Sequence, residues 1–294
     1  MNLASLIYTA LVVLQVGIVV TGGAVRLTGS GLGCPTWPQC VSGSISPVKH
    51  QAQGTLHSWI EFGNRLLTVV LVIVIIASVI GAYRWGKGRS DWKMIRLLAW
   101  TQVIGIVAQI VLGGITVLTK LNPFTVSAHF LLSIVLIPTT LSLRERIFAK
   151  ARTHVLPTTK LLIRLVTVVS VIVIALGTVV TGSGPHAGDA QAKRYHIDPR
   201  LISWLHADTV IALFGLTIAL YLVIKVSEPL DVRSFIGKKV LLFLAICLAQ
   251  GAIGYIQYFT HLPEALVAAH LLGVGLIWLT IWNIGFKANV FTSK

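Results

Sequence analysis

Long apolar runs alternate with short polar segments along the whole 294-residue chain. Crossing about 30 Å of hydrocarbon takes roughly 20 helical residues. Runs of that length recur near 3 to 25, 56 to 83, 97 to 119, 126 to 143, 165 to 182, 201 to 226, 240 to 260 and 266 to 286. The pattern predicts an all-α membrane protein of eight transmembrane helices. The first run is too long for a signal-peptide core and no basic segment precedes it, so it is read as a retained span. Composition agrees: 55% of residues are hydrophobic and 11% charged, with a mean hydropathy of +0.85, which excludes an ordinary soluble domain.

The net charge of +15 needs no nucleic-acid partner, because the cations gather in alternate loops. Arg84, Lys87, Arg89, Lys93 and Arg96 precede the third span. Arg144, Arg146, Lys150, Arg152, Lys160 and Arg164 lie between the fourth and fifth, and Lys225, Arg233, Lys238 and Lys239 before the seventh. Lys287 and Lys294 follow the last span. The positive-inside rule makes these segments cytoplasmic, predicting a plasma-membrane protein with both termini inside. The segments 26 to 55, 120 to 125, 183 to 200 and 261 to 265 then face outward, with Lys193, Arg194 and Arg200 softening the contrast.

The chain also repeats itself. Gln109 to His129 aligns without a gap on Gln250 to His270, 141 residues on, pairing Gly113 with Gly254 and Thr119 with Thr260. Val19-Val20-Thr21-Gly22 similarly resembles Val179-Val180-Thr181-Gly182. Four spans per repeat give both halves one orientation, so the expected architecture is two similar four-helix bundles, residues 1–150 and 151–294, in a parallel pseudo-two-fold arrangement.

Four of the nine histidines, His57, His129, His206 and His270, fall near the outer end of an even-numbered span. Polar side chains inside a span are costly unless partnered. A single histidine is often a packing residue bonded across helices, but two on facing helices at one depth offer a heme iron its two axial nitrogens. His206 with His270 is the cleaner pair, and His129 heads the matching position in the first half. His57, Glu61 and Asn64 share one helical face. Glu61 either neutralises Arg65 one turn along or manages protons beside a substrate. Cys34 and Cys40 in the first outward loop are expected as a disulfide, with a reactive dithiol or metal site as the competing reading. Cys247 reads as a packing residue.

These residues are similar to those of the heme A synthase family, membrane enzymes of cytochrome oxidase biogenesis, over essentially the whole chain. The resemblance is carried by Gly22-Gly23-Ala-Val-Arg-Leu-Thr28-Gly29-Ser30-Gly31-Leu-Gly33-Cys34, by Trp37-Pro38-Gln39-Cys40, by Trp-Ile-Glu61-Phe-Gly-Asn64-Arg65-Leu, and by the histidines of spans four, six and eight. It implies oxidation of a ring methyl of heme O to a formyl group, giving heme A by two hydroxylations and loss of water. It further implies heme b on His206 and His270 in the C-terminal half, passing electrons, and heme O at His129 in the N-terminal half. Glu61 matches the family's acidic residue beside the substrate, and Cys34 and Cys40 its cysteine pair. Two departures stand out. Where the family carries a histidine three residues after the glutamate, this chain has Asn64, which the repeat sets opposite His206, 142 residues on. Asparagine ligates iron poorly, so either the substrate heme is bound on one side only or His57 partners His129; we favour His57, although helical rise puts it about 10 Å further out. The third outward loop also lacks a cysteine pair. The prenyltransferase that makes heme O and a second copy of the chain stand as candidate partners. A di-heme b-type cytochrome carrying electrons from quinol is the alternative, and a transporter a more distant one.

Overall fold

A computed structural model describes residues 2–148 and 152–291. Among these residues, eight helices are long and apolar enough to cross a membrane. They are α1 (Leu3–Leu27), α2 (Thr55–Gly86), α3 (Trp92–Leu118), α4 (Pro123–Ile147), α5 (Pro157–Ser183), α6 (Pro199–Ser227), α7 (Leu230–Phe259) and α8 (Glu264–Lys287). Large apolar side chains point outward all round, Ile80 and Ile104 being 63% and 68% exposed. That surface suits lipid and would be untenable in water.

Each predicted span falls on one helix, two of them overrunning its end by a single residue at Thr119 and Thr260, and several helices run beyond the apolar stretch. α5 begins eight residues early at Pro157, and α7 ten residues early at Leu230, through a π-helical turn at Arg233–Gly237. Apolar patterning reports the hydrocarbon, whereas helical hydrogen bonding continues into the interface.

Helix starts are fixed by capping. The Asn122 side chain accepts from Phe124 N at 3.0 Å and Asp198 from Arg200 N at 2.9 Å, each with proline at the first helical turn. A short side-chain acceptor followed by proline is a strong initiation signal. α8 likewise follows Pro263. The repeat is visible in the backbone: the α3–α4 turn passes through Lys120 and Leu121 at φ 54° and 58°, and the α7–α8 turn through His261 and Leu262 at 64° and 61°.

The chain divides into two compact units, Met1–Phe148 with Thr181–Ile197, and Ala149–Val180 with Asp198–Lys294. The expected boundary at 150/151, with Lys150 and Lys294, lies outside the described residues. The segment after α5, expected with the C-terminal half, belongs to the first unit. Arg26 donates to the Thr181 carbonyl at 2.7 Å, Gly31 N to the Gly188 carbonyl at 2.9 Å, and Tyr195 Oη bonds Ser127 Oγ at 2.8 Å.

In the first unit α1 packs on α2 and α4, and α3 on the same two helices. Its core holds Tyr8, Leu11, Leu71, Ile75, Ile95 and Leu143, all at most 1% exposed. Lipid supplies no hydrophobic force between helices, so packing and interhelical hydrogen bonds hold them. Gln102 makes three such bonds: Oε1 accepts from Gln15 Nε2 at 3.3 Å and Thr140 Oγ1 at 2.6 Å, and Nε2 donates to Thr139 Oγ1 at 2.9 Å. At about 0.6 kcal/mol each, Gln102→Leu should destabilise the first unit by about 2 kcal/mol. Thermal unfolding in detergent should show a lowered midpoint, with the second unit unaffected.

In the second unit α6 and α8 pack on α7. The buried Glu228 accepts from Leu156 N at 2.8 Å, ordering the entry to α5.

Candidate functional site

The caps set the depth of the histidines. His129 lies seven residues after Asn122, His206 eight after Asp198, and His270 seven after Pro263. At 1.5 Å per residue each ring sits roughly 10–12 Å from its helix start.

Each ring then meets a glycine on a neighbouring helix. A Cβ at Gly113 would lie 3.2 Å from His129 Cε1, one at Gly177 3.1 Å from His206 Cε1, and one at Gly254 3.5 Å from His270 Cε1. Imidazole therefore packs directly on helix backbone, on α3, α5 and α7. Nδ1 is buried in all three rings without a well-formed hydrogen bond. The backbone of Val173, one turn before Gly177, stands beside His206 as an acceptor. Contact with the glycine backbone, rather than a hydrogen bond to Nδ1, orients these rings.

Asn64 occupies the fourth such position. A Cβ at Gly22 of α1 would lie 3.9 Å from Asn64 Nδ2, and Thr21 Oγ1 donates to Asn64 Oδ1 at 2.7 Å. Asn64 therefore faces Gly22 as His206 faces Gly177. The match of Val19–Gly22 with Val179–Gly182 marks no equivalent place, because Gly182 packs instead against Tyr195. A helix of apolar and small residues can slide by a turn, and the contact with α2 or α6 decides its register. Beside Asn64 a cavity of about 260 Å³ is lined by Thr21, Ala24, Val25, Ile60, Gly63, Asn64 and Leu67.

Glu61 is 6% exposed and ties α2 to the 28–54 segment. Its Oε2 accepts from Cys34 N at 2.6 Å, and Oε1 accepts from Arg65 Nη2 at 2.6 Å and Nε at 3.2 Å. Arg65 donates onward to the carbonyls of Cys34 at 2.9 Å, Thr36 at 3.1 Å and Gln39 at 3.2 Å. Cys34 and Cys40 form a disulfide that closes this loop. Its Trp37 lies against Gly114, beside the glycine under His129. The latched loop thus caps that end of the first unit.

His57 is turned toward the same loop. Its Nδ1 lies 2.9 Å from Ser30 Oγ, and its backbone abuts Gly33. Cys247 is buried, without a disulfide partner.

One turn below His129, Gln109 Nε2 donates to Ser133 Oγ at 2.7 Å, and the Gln102 cluster follows. At the positions 141 residues on from Ser133, Gln102 and Thr140, the second unit has Val274, Phe243 and Ile281. Gln250 keeps the place of Gln109, buried against Gly273, so the first unit differs by the partners Ser133, Gln102 and Thr140 rather than by the glutamine. Neither this contrast nor the glycine contacts are foreseen by the sequence reading, although Gly113 and Gly254 stand at matching places in the repeated segment.

Among the described residues no three His, Cys, Asp or Glu side chains gather as a metal cluster. Histidines offered one or two to a unit, each with an unsatisfied buried Nδ1 and no further metal ligand beside it, fit a metal whose remaining ligands come from a macrocycle, so the donor set fits heme.

Comparison with known proteins agrees. Relatives named heme A synthase include that of Geobacillus thermodenitrificans, 32% identical over 116 residues, 38% of this chain and 32% of the relative. That of Lysinibacillus sphaericus is 30% identical over 118 residues, 39% and 35%. One from Listeria monocytogenes is 30% identical over 131 residues, 44% and 41%. The matched stretch thus spans about a third to two fifths of these relatives' length. The family described as cytochrome oxidase assembly protein matches residues 5–282, nearly the whole sequence, and the chain belongs to that family.

Proposed function

We propose that the protein is a heme A synthase, an oxidoreductase that converts a ring methyl of heme O to a formyl group, in a multi-pass arrangement with both termini cytoplasmic. The observation that carries this reading is the set of glycine-backed histidines, paired in one unit and single in the other, combined with the family match. His206 and His270 would hold heme b. His129 would hold heme O, and the hydrogen-bonded Gln109, Ser133 and Gln102 beneath it support chemistry in the first unit.

Bound at His129, heme O would be oxidised at one ring methyl by two successive two-electron hydroxylations, each requiring an oxygen atom and an external oxidant, to a geminal diol that loses water. The chain's part is to orient and enclose. The latched 28–54 loop, with Trp37 against Gly114, keeps water from that end. Glu61 has three of about four acceptor positions occupied, leaving one at which to take a proton. Glu61→Gln keeps an acceptor for Cys34 N and removes the titratable group. It should leave heme content normal, lower heme A yield at least ten-fold and let heme O accumulate; unchanged yield would reduce Glu61 to a loop latch.

Pigment extraction from the purified protein tests the whole reading. Heme O or heme A beside heme B supports the synthase. Heme B alone, in both units, would make the protein an electron-carrying cytochrome.

A further inference from the structure

We infer that the corner between α6 and α7 holds the phosphate of an anionic phospholipid, gripped by Lys225, Arg233 and Lys238, with an acyl chain lying along the outer face of α7. The corner is at the end of the second unit away from His206 and His270, and the inference is independent of the heme reading.

The backbone gathers the three cations. Arg233 turns back on the end of α6, donating through Nη2 to the Val226 carbonyl at 3.1 Å and through Nε to that of Glu228, beside Lys225. The π-helical turn Arg233–Gly237 then brings Lys238 next to Arg233, because an i→i+5 ring stacks a residue on the fifth after it. Adjacent like charges destabilise a helix, and cations in its first turns oppose the macrodipole. Among the described residues, no carboxylate lies within ion-pair distance of Lys225, Arg233 or Lys238. The first unit settles its arginines differently, with Arg89 and Arg146 each 3.2 Å from Asp91 and Arg144 2.6 Å from Glu145.

Lys225 and Lys238 are exposed, so the counter-charge comes from outside the chain. Toward the membrane interior from Lys238, α7 exposes Leu241, Leu242, Ala245, Leu248 and Ala249, with Leu242 at 56% and Leu248 at 57%. That spacing marks one helical face, a strip headed by a cation and apolar below it. A lipid phosphate on the cations, with its chain against the strip, matches this order of charge and grease. Basic pockets at the ends of membrane helices bind anionic head groups in this way.

Native mass spectrometry of the full chain, extracted from phosphatidylcholine vesicles containing phosphatidylglycerol, tests the site. The wild type should retain phosphatidylglycerol in preference to phosphatidylcholine. Lys225→Gln and Lys238→Gln should each weaken that retention about five-fold, the contribution of one basic residue near an anionic surface, whereas Lys238→Arg should keep it. Leu242→Ser should weaken it with no change of charge. Lys87→Gln removes an exposed cation from the first unit and should have no effect. Equal losses in Lys87→Gln and Lys238→Gln would reduce the corner to part of a generally basic face and overturn the inference. So would equal retention of the two lipids, or displacement of the lipid by inorganic phosphate, which has no chain to lay on the strip.

Discussion

Gly177→Leu is expected to empty the second unit of heme although His206 and His270 are untouched. Even a bare Cβ would approach the His206 ring to 3.1 Å, tighter than ordinary contact. The further carbons of leucine need the volume the imidazole occupies, and α5 cannot yield them without moving. Overpacking of this kind costs about 1–3 kcal/mol where the side chain can give. Here giving means turning the imidazole away from the place where, on the proposed reading, its Nε2 would meet heme b, so coordination should be lost. The reduced-minus-oxidised spectrum should fall at least ten-fold in the heme b bands, with the helical circular dichroism signal kept. Gly177→Ala should produce a partial loss. A variant with full heme content would show that the glycine contact does not position the ring.

The second large effect is expected at Arg65. Arg65→Ala removes the hydrogen bonds to the carbonyls of Cys34, Thr36 and Gln39, and strands Glu61, whose side chain is 8% exposed. Breaking a buried ion pair from one side costs about 3–5 kcal/mol, because the remaining charge stays buried alone. The arginine is 22% exposed, which puts the expected loss at the lower end, about 3 kcal/mol. The loop should detach from α2 and Trp37 leave Gly114, visible as tryptophan fluorescence shifted to the red and faster proteolysis within 28–54. Arg65→Ala with Glu61→Ala should recover part of the stability, since no lone carboxylate remains. Heme A formation should stay low in both.

Much of this was legible in the sequence. Apolar run length gives the eight helices, and the spacing of His129 and His270 within a repeated segment marks them as equivalent. Glu61 with Arg65 was readable as an ion pair from its four-residue spacing. What escaped is what lies between helices. Nothing along α5 says that Gly177 rather than Gly182 lies under His206. The bond from His57 to Ser30 joins a helix to a loop whose path depends on Gly31 and Gly33 lying close to other backbone. Periodicity reports which face of a helix is apolar, not which neighbour that face meets.

The distance from each cap to its histidine acts as a ruler. One residue inserted between Asn122 and His129, or between Asp198 and His206, would swing the imidazole through about 100° and carry it off its glycine. The same insertion before Asn122 or Asp198 changes only the connection. Length variation among relatives should therefore gather in the links and spare these two-turn segments, so homologous binding positions can be located by counting from the initiating residue.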